Sequence, residues 1–539
     1  MPKRPFRAKD VYRLKSIADL DLSPDGRRVA FVVGEVDEEA DRASTSIWVA
    51  ATDGSAPPRR FSDGPADASP RWSPDGRSLA YISASPDDPL HALVRVAALE
   101  GGAPAPLGSL PGPVSQLAWS PGATALAVVC RVGVPGPKKQ SAKERNAPRV
   151  VRGLGARLNG VGWKDGRTHV FIVEVGTGSA GQLTQGDYDH AAPSFSPDGS
   201  MVAFAADRQA GHDDRQWRSD VWVLPVTGGR PRRLARGKGY AVAPLFSPDG
   251  SLVAFAGTDN DRWDADSHVY VVAADGSGEP ERVAPGTDRG VILRMAGTPA
   301  PYGWTGNREL VMLLADRGGT ALHRARAGEA RSHEVVGGDT EIDFVAVRPG
   351  RRVIAFTSAW VDRPCELYVT RSGDAEPVQL THLHDEFLAE VDLAAAERAR
   401  ITRPDGTEVE YFTLLPRRSP RRFPVHLGVH GGPQDWWPGA TDLGIHQTIV
   451  AAGYAVLLPN PRGSGGYGQE FASACTGDWG GADFEDILAC CDDLVERGLG
   501  DGDRMFVSGY SYGGFMTGWA VGHSHRFLAA TSGAAVIDL

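Results

Sequence analysis

The chain has 539 residues, of which 41% are hydrophobic and 23% are charged, as in an ordinary soluble globular protein with two or more domains. Its formal net charge of −10 argues against a nucleic-acid partner. The basic start of the chain leads into no apolar stretch, and no run reaches the roughly 18 apolar residues that a membrane span needs. We therefore expect a cytoplasmic protein with no membrane partner.

The cysteines agree with that location. There are five, an odd number, and they are scattered without the spacing of a disulfide framework or a metal site. We expect no disulfide, no bound metal and no organic cofactor. The five are Cys130, Cys365, Cys475, Cys490 and Cys491.

The first two-thirds of the chain repeats a short turn followed by an apolar strand. The turn Ser-Pro-Asp-Gly begins at Ser23, Ser73, Ser196 and Ser247, and an apolar triplet such as Val29-Ala30-Phe31 follows each copy. Degenerate copies of the turn begin at Trp119, Trp304 and Arg348. Proline and Asp-Gly suit tight turns between strands, so seven repeats of one β-unit are predicted.

The spacing of these repeats indicates their arrangement. Most intervals are 43 to 58 residues, the length of one four-stranded propeller blade. The longest interval carries the basic residues 138–145, which we interpret as an inserted loop. Seven units predict a seven-bladed β-propeller over residues 20–392. A linear β-array is the alternative, but blades bury their faces by closing into a ring.

A second domain is predicted over residues 393–539, where strand-like and helix-like segments alternate. Residues 394–400 are polar and rich in alanine, which suggests a linker or the end of the last blade. This pattern predicts an α/β domain with a mainly parallel sheet. The predicted strands are 408–415, 425–429, 454–458, 505–508 and 527–532, and the predicted amphipathic helix is 484–496.

A candidate nucleophile lies in this second domain. Ser511 is the centre of Gly509-Tyr510-Ser511-Tyr512-Gly513, between a predicted strand and a predicted helix. A serine on such a strained turn projects its hydroxyl above the sheet, as in the nucleophile elbow of α/β hydrolases. The backbone N–H of Tyr512, at the start of the helix, is then one predicted oxyanion donor.

A glycine-rich loop earlier in the domain predicts the second donor. The strand-like residues 425–429 lead into His430-Gly431-Gly432-Pro433. In this fold the loop after an earlier strand supplies the other oxyanion-hole N–H. We assign that N–H to Gly432, with Gly431 as the neighbouring alternative and a plain tight turn as the non-functional interpretation.

The order of the motifs resembles that of the prolyl oligopeptidase family of serine peptidases, especially its acylaminoacyl-peptidase and dipeptidyl-peptidase branch. The resemblance covers essentially the whole chain. It implies a propeller followed by an α/β-hydrolase domain, with Ser511 as nucleophile. The motifs are His430-Gly431-Gly432-Pro433, Asn460-Pro461-Arg462-Gly463-Ser464-Gly465-Gly466-Tyr467-Gly468, Gly477-Asp478-Trp479-Gly480-Gly481 and Gly509-Tyr510-Ser511-Tyr512-Gly513-Gly514.

The resemblance has further implications. It implies a cytosolic exopeptidase or oligopeptidase that acts on short peptides, with the propeller restricting larger substrates. It implies that residues 1–19 pack on the hydrolase domain, with residues 9–16 as a helix. It also places Arg462 and Trp479 near the site, where we interpret both as scaffold.

The activating residues of the triad are not evident in the sequence. Chain order in this fold is Ser, Asp or Glu, then His, but only His523, His525 and Asp538 follow Ser511. At about 1.5 Å per helical residue, His523 is too far along the helix to reach the hydroxyl. We expect the hydrolase domain to be C-terminally incomplete, with the triad Asp and His beyond Leu539.

Two other functions stay open at this stage. One is an esterase on the same scaffold, and the other is a non-catalytic propeller-bearing binding protein. A homo-oligomer is also open, because a sheet without its last strands has an edge prone to association.

Overall fold

The computed structural model describes residues 3–85, 88–101, 104–133, 150–151, 153–158, 162–214, 218–293, 299–371, 376–417, 422–437 and 443–536. The basic stretch at 138–145 and the acid Asp538 lie outside these residues.

The first part of the chain forms seven four-stranded antiparallel sheets, each built from four strands in chain order. A two-stranded hairpin, Arg157–Leu158 with Gly162–Trp163, is inserted in the third sheet. The strands, sheet by sheet, are Ser16–Leu22, Arg28–Asp37, Arg42–Ala51, Arg59–Arg60; Asp67–Trp72, Ser78–Ser85, Asp88–Ala98, Ala105–Pro106; Val114–Trp119, Ala125–Val132, Arg167–Glu174, Ala180–Gln182; Ala191–Phe195, Met201–Ala206, Asp220–Pro225, Arg232–Ala235; Ala241–Phe246, Leu252–Thr258, Ser267–Ala273, Glu281–Arg282; Tyr302–Trp304, Glu309–Asp316, Gly319–Arg326, His333–Val336; and Val345–Val347, Val353–Trp360, Arg363–Arg371, Val378–Gln379.

The repeated Ser-Pro-Asp-Gly turn joins the first two strands of a blade. In the first copy the Ser23 hydroxyl donates to Asp25 Oδ1 at 2.6 Å and accepts from the Arg28 N–H at 2.9 Å. Asp25 Oδ1 also accepts from the Arg27 N–H at 3.0 Å. The serine and aspartate side chains therefore accept hydrogen bonds from the backbone N–H groups of the turn, which explains why this four-residue sequence recurs.

Neighbouring blades are joined through their innermost strands. The indole N–H of Trp72 in the second blade donates to the Asp21 carbonyl of the first at 3.0 Å. Trp119 in the third blade makes the same contact with Arg71 of the second at 2.9 Å. Each indole N–H finds its acceptor across the junction, and the Trp72 ring is fully buried there while that of Trp119 is half-buried.

The seven sheets close into a ring. Arg348 of the seventh blade donates to the Leu22 carbonyl of the first blade at 2.7 Å and to the Asp21 carboxylate at 2.7 and 2.8 Å. One buried cluster contains Ile17 and Leu20 of the first blade with Leu367 and Val369 of the seventh. The predicted seven-bladed propeller is correct, and the linear array is wrong.

The N-terminal segment bridges the two parts of the molecule. Arg4–Pro5 pairs in parallel with Val391–Asp392, and Phe6 is buried with Phe387 and Leu443. The helix predicted at 9–16 is instead a 3-10 helix at Ala8–Arg13. It is shorter because Ser16 already begins the first strand of the propeller.

The second part contains a six-stranded sheet. The strands are β1 (Ala396–Thr402), β2 (Glu408–Leu414), β3 (Phe423–Val429), β4 (Ala455–Asn460), β5 (Gly500–Tyr510) and β6 (Phe527–Gly533). Their order is β1-β2-β4-β3-β5-β6, in which the last four strands are parallel. Residues 394–400 are therefore neither a linker nor part of a blade, because most of them form edge strand β1, which pairs with β2.

Four helices accompany this sheet: α1 (Leu443–Ala451), α2 (Gln469–Ser473), α3 (Ala482–Glu496) and α4 (Tyr512–His523). A separate short helix at Asp385–Glu390 precedes the sheet. The apolar face of α3, with Ile487 and Leu494, packs on Leu427 and Val507 of the parallel strands. Within the described residues, no helix is both long and apolar enough to cross a lipid bilayer.

The propeller contacts the second domain at α2 and at the loop before it. The Gln469 side chain donates to the Asp264 carbonyl at 3.0 Å and accepts from the Asp266 N–H at 2.6 Å. Arg317 donates its N–H to the Gly466 carbonyl at 3.1 Å. Loops of the fifth and sixth blades therefore lie on the segment that precedes α3.

Candidate active site

Ser511 occupies the turn between β5 and α4. Its φ of 58° and ψ of −118° lie in a region that non-glycine residues rarely adopt. The strain is held by the Ser511 N–H, which donates to the Gly533 carbonyl at 3.0 Å, and by its carbonyl, which accepts from the Phe515 N–H at 3.0 Å. This is the strand-turn-helix geometry of a nucleophile elbow.

The glycine-rich loop lies directly against this turn. A Cβ on Gly513 would lie 2.1 Å from the Val429 carbonyl oxygen, so only glycine permits this approach. A Cβ on Gly431 would lie 3.8 Å from the Ser511 Cβ. The structure thus brings together the two segments that the sequence analysis paired.

The candidate oxyanion donors converge on this region. Tyr512 is the first residue of α4, where backbone N–H groups have no partner within the helix. Gly431 is the loop residue beside Ser511, and Gly432 follows it with a φ of 104°. Among the described residues, no acceptor takes a hydrogen bond from the N–H of Tyr512, Gly431 or Gly432. The assignment of the second donor to Gly432 stays a prediction.

The Tyr512 side chain points away from the turn into the core. Its hydroxyl donates to Asp483 Oδ2 at 2.6 Å, while Asp483 Oδ1 accepts from the N–H groups of Gly480 and Phe484, both at 2.9 Å. Burial raises the pKa of Asp483 in spite of these hydrogen bonds, and burial also raises the pKa of Tyr512 well above its usual value. Asp483 was not predicted from the sequence, in which its only signal is an acid at the start of a helix.

His430 is part of the loop's scaffold. Its Nδ1 lies 2.8 Å from the Gly431 carbonyl, and its Nε2 lies 3.0 Å from the Ser464 hydroxyl. Since a carbonyl only accepts, Nδ1 carries the proton of the ring. Burial lowers the pKa of His430, which keeps the ring neutral. Both nitrogens are engaged, so this ring is not positioned to serve as the base.

Three other histidines of the domain are also engaged elsewhere, and His525 is exposed beyond the end of α4. His523 lies at the far end of α4, with its ring stacked on Trp519 at 3.7 Å and its Nδ1 2.9 Å from the Trp519 carbonyl. His426 contacts the Ser508 hydroxyl at 2.9 Å, and His446 packs on Trp437. No described residue makes a hydrogen bond to the Ser511 hydroxyl.

Arg462 and Trp479 both contact structural partners. Arg462 pairs with the buried carboxylate of Asp486 through Nε at 2.8 Å and a terminal nitrogen at 2.7 Å, and with Asp405 at 2.7 Å. Trp479 packs edge-on against the Tyr512 ring at 5.0 Å. The guanidinium fixes the loop after β4, and the indole lies behind the turn that carries Ser511.

Comparison with known proteins identifies the family. A family model with the description "Prolyl oligopeptidase family" matches residues 442–539. The chain is 30% identical over 550 residues to the uncharacterized peptidase YuxL of Bacillus subtilis, covering 98% of this chain and 82% of YuxL. The chain belongs to the prolyl oligopeptidase family. It is also 24% identical to dipeptidyl-peptidase 5 of Porphyromonas gingivalis, over 98% of this chain and 78% of that protein.

Solved structures of prolyl oligopeptidase relatives share the fold. The acylaminoacyl peptidase of Pyrococcus horikoshii superimposes with a TM-score of 0.81 at 20% identity, over 98% of this chain and 79% of its own. A puromycin-hydrolyzing peptidase of Mycobacterium tuberculosis gives 0.72 at 20% identity, over 100% and 81%. The shared fold is a seven-bladed propeller followed by an α/β-hydrolase domain, and membership of the family makes the chain a hydrolase of the peptidase class.

Proposed function

We propose that the protein is a serine peptidase that cleaves short peptides by acyl transfer through Ser511. The observation that carries this proposal is the strained φ of 58° at Ser511. Beside it lie N–H groups at the start of α4 and in the loop at 431–432 that have no acceptor among the described residues. A non-glycine residue in such a conformation is retained where a site requires it. A serine at a strand-to-helix corner is the arrangement that acyl-transfer enzymes use.

In the proposed reaction the Ser511 hydroxyl oxygen attacks the scissile carbonyl and a histidine takes the hydroxyl proton. The N–H groups of Tyr512 and Gly432 hold the oxyanion, and the histidine then passes the proton to the leaving amine. Water releases the acyl group and regenerates the serine. No described residue supplies that histidine, or the acid that orients it, at Ser511.

Short peptides are the substrate class that the surroundings of Ser511 support. Propeller loops contact residues within 466–479, immediately before the helix that packs behind the turn. We infer that the propeller restricts the approach of large chains. The names of two relatives, dipeptidyl-peptidase 5 and acylaminoacyl peptidase, support the same class. All five cysteines are free thiols, which supports a cytoplasmic location. The proposal involves no cofactor, nucleic acid or membrane.

Labelling with a fluorophosphonate tests the nucleophile. The reagent should react with the native protein, as purified from its source, and fail to react with the Ser511→Ala variant of the same protein. Ser524→Ala, at the other end of α4, is the matched control and should label normally. Retained labelling of Ser511→Ala would refute the assignment. Comparing hydrolysis of a peptidyl anilide with that of a simple aryl ester separates a peptidase from an esterase.

A further inference from the structure

One loop of the hydrolase domain, residues 474–481, contacts both the propeller and the turn that carries Ser511. Its Thr476 hydroxyl donates to Asp264 Oδ2 of the fifth blade at 2.5 Å. The Asp264 side chain is 1% exposed and also pairs with Arg262. Burial opposes its ionisation, but the hydrogen bonds from Arg262 and Thr476 hold the pKa of Asp264 below its usual value. The loop is therefore held to the propeller by a charged, buried acceptor.

Beside this polar contact, a series of aromatic rings in contact with one another connects the propeller to the turn that carries Ser511. Trp263 of the fifth blade lies edge-on to Trp479, with ring centroids 5.8 Å apart and planes at 81°. Trp479 lies edge-on to Tyr512 at 5.0 Å and contacts Phe515 at 5.4 Å. Edge-to-face pairs at these distances are attractive, so the position of each ring depends on the next.

Tyr512 itself has little freedom to move independently. Its side chain is 1% exposed, and its hydroxyl is bonded to Asp483, which also accepts from the N–H of Gly480, the residue after Trp479. The Tyr512 side chain is thus held at its hydroxyl by Asp483, and its ring packs against Trp479. A displacement of Trp479 therefore has to be taken up by the backbone at the start of α4.

We propose that Trp479 is a positioning residue, through which contact with Trp263 of the propeller holds the Tyr512 backbone N–H in place for the oxyanion. The proposal rests on the proposed function, since that N–H matters chemically only if Ser511 forms a tetrahedral intermediate. A misplacement of about 1 Å in such a site can lower the rate roughly 100-fold. A packing contact behind the donor can therefore change the rate strongly. The propeller then influences the donor as well as access to the site.

Amide hydrogen exchange tests the coupling without requiring activity. The Phe515 amide, which donates to the Ser511 carbonyl, reports on the first turn of α4. Trp263→Ala removes a side chain that is 45% exposed, and exchange of the Phe515 amide should become at least fivefold faster. The matched control is Trp163→Ala, in the hairpin inserted in the third blade, which removes a tryptophan that is 43% exposed and should leave this amide unchanged. Exchange within twofold of the parent in Trp263→Ala would overturn the proposal.

Substitutions at Trp479 supply a second readout. Trp479→Phe keeps a ring against Tyr512 and should preserve the slow exchange of Phe515, whereas Trp479→Leu should accelerate it. Equal acceleration in both variants would show that the aromatic contact is not the cause. Exchange of strand Val353–Trp360 in the seventh blade serves as the measure of intact folding. If fluorophosphonate labelling assigns another nucleophile, the proposed function fails while the exchange result still decides the coupling.

Discussion

The hydroxyl of Tyr512, the residue after the candidate nucleophile, donates a 2.6 Å hydrogen bond to the fully buried carboxylate of Asp483 at the start of α3. This bond joins the helix behind the sheet to the turn that carries Ser511. It also leaves the Tyr512 backbone free to face the opposite side. The same residue is therefore part of the core through its side chain and part of the candidate site through its amide.

Removing this hydroxyl should destabilise the hydrolase domain. In Tyr512→Phe the Asp483 carboxylate loses one donor in a buried environment, which costs about 1–3 kcal/mol. Urea unfolding followed by circular dichroism measures the loss. Tyr510→Phe is the control, because that side chain is 70% exposed and should change the free energy of unfolding by less than about 0.5 kcal/mol. Equal stability of the two variants would contradict the structural role of the bond.

Asp266, at the contact between the propeller and α2, should make stability depend on pH. Burial, followed by the negative charge of Asp288, raises its pKa to about 6. Arg282 and Arg289 lower the pKa of this carboxyl, and Asp264 raises it further. Because the folded pKa is above the unfolded value of 3.8, its contribution to stability is fully present below about pH 3.8 and is lost as the pH rises through about 6.

The Asp266→Asn variant tests this assignment. It should be more stable than the parent by about 2–3 kcal/mol at pH 7.5, with the difference shrinking as the pH falls towards 4. Thermal melts at about pH 4.5, 6 and 7.5 cover the pH range in which Asp266 loses its proton. Asp63→Asn, a change at a fully exposed side chain, should show no such trend. A constant difference between Asp266→Asn and the parent at all three pH values would contradict the assignment.

Arg348 should be important for closing the propeller. Arg348→Met removes its bonds to the Leu22 carbonyl and the Asp21 carboxylate, which join the seventh blade to the first. The loss of charge-assisted hydrogen bonds should lower the free energy of unfolding by about 2 kcal/mol. Arg352→Met, a neighbouring exposed arginine, is the control. Equal denaturation midpoints for the two variants would show that ring closure does not depend on Arg348.

Strand β6 should promote association of the 539-residue chain. It is the last strand in the order of the sheet, and Leu528 on it is 63% exposed. An exposed edge with apolar side chains can pair with a second copy. Sedimentation velocity should detect concentration-dependent association that Leu528→Lys reduces. Leu154→Lys, a change at a side chain that is 76% exposed in the third blade, should leave the association unchanged. If both variants associate like the parent, β6 is not the interface.

Several features of this protein follow from local sequence. The Ser-Pro-Asp-Gly sequence recurs because its serine and aspartate side chains, such as Ser23 and Asp25, accept hydrogen bonds from backbone N–H groups of the same turn. Each copy therefore contains the residues that stabilise its own turn. The elbow can also be predicted locally, since Ser511 lies in a glycine-flanked turn between a strand-like and a helix-like segment. The sequence therefore determined the number of blades, the class of the second domain and the candidate nucleophile.

Other features were decided only by contacts between distant parts of the chain. Residues 394–400 have no strand-like pattern, and most of them form a strand because they pair with the edge of β2. Asp483 becomes a partner of Tyr512 only when the folded hydrolase domain brings α3 next to α4. Trp479 meets Trp263, more than two hundred residues earlier, only once the propeller is docked. The conformational preferences of neighbouring residues do not specify such pairs. These contacts stabilise the protein only after two separately formed surfaces have come together.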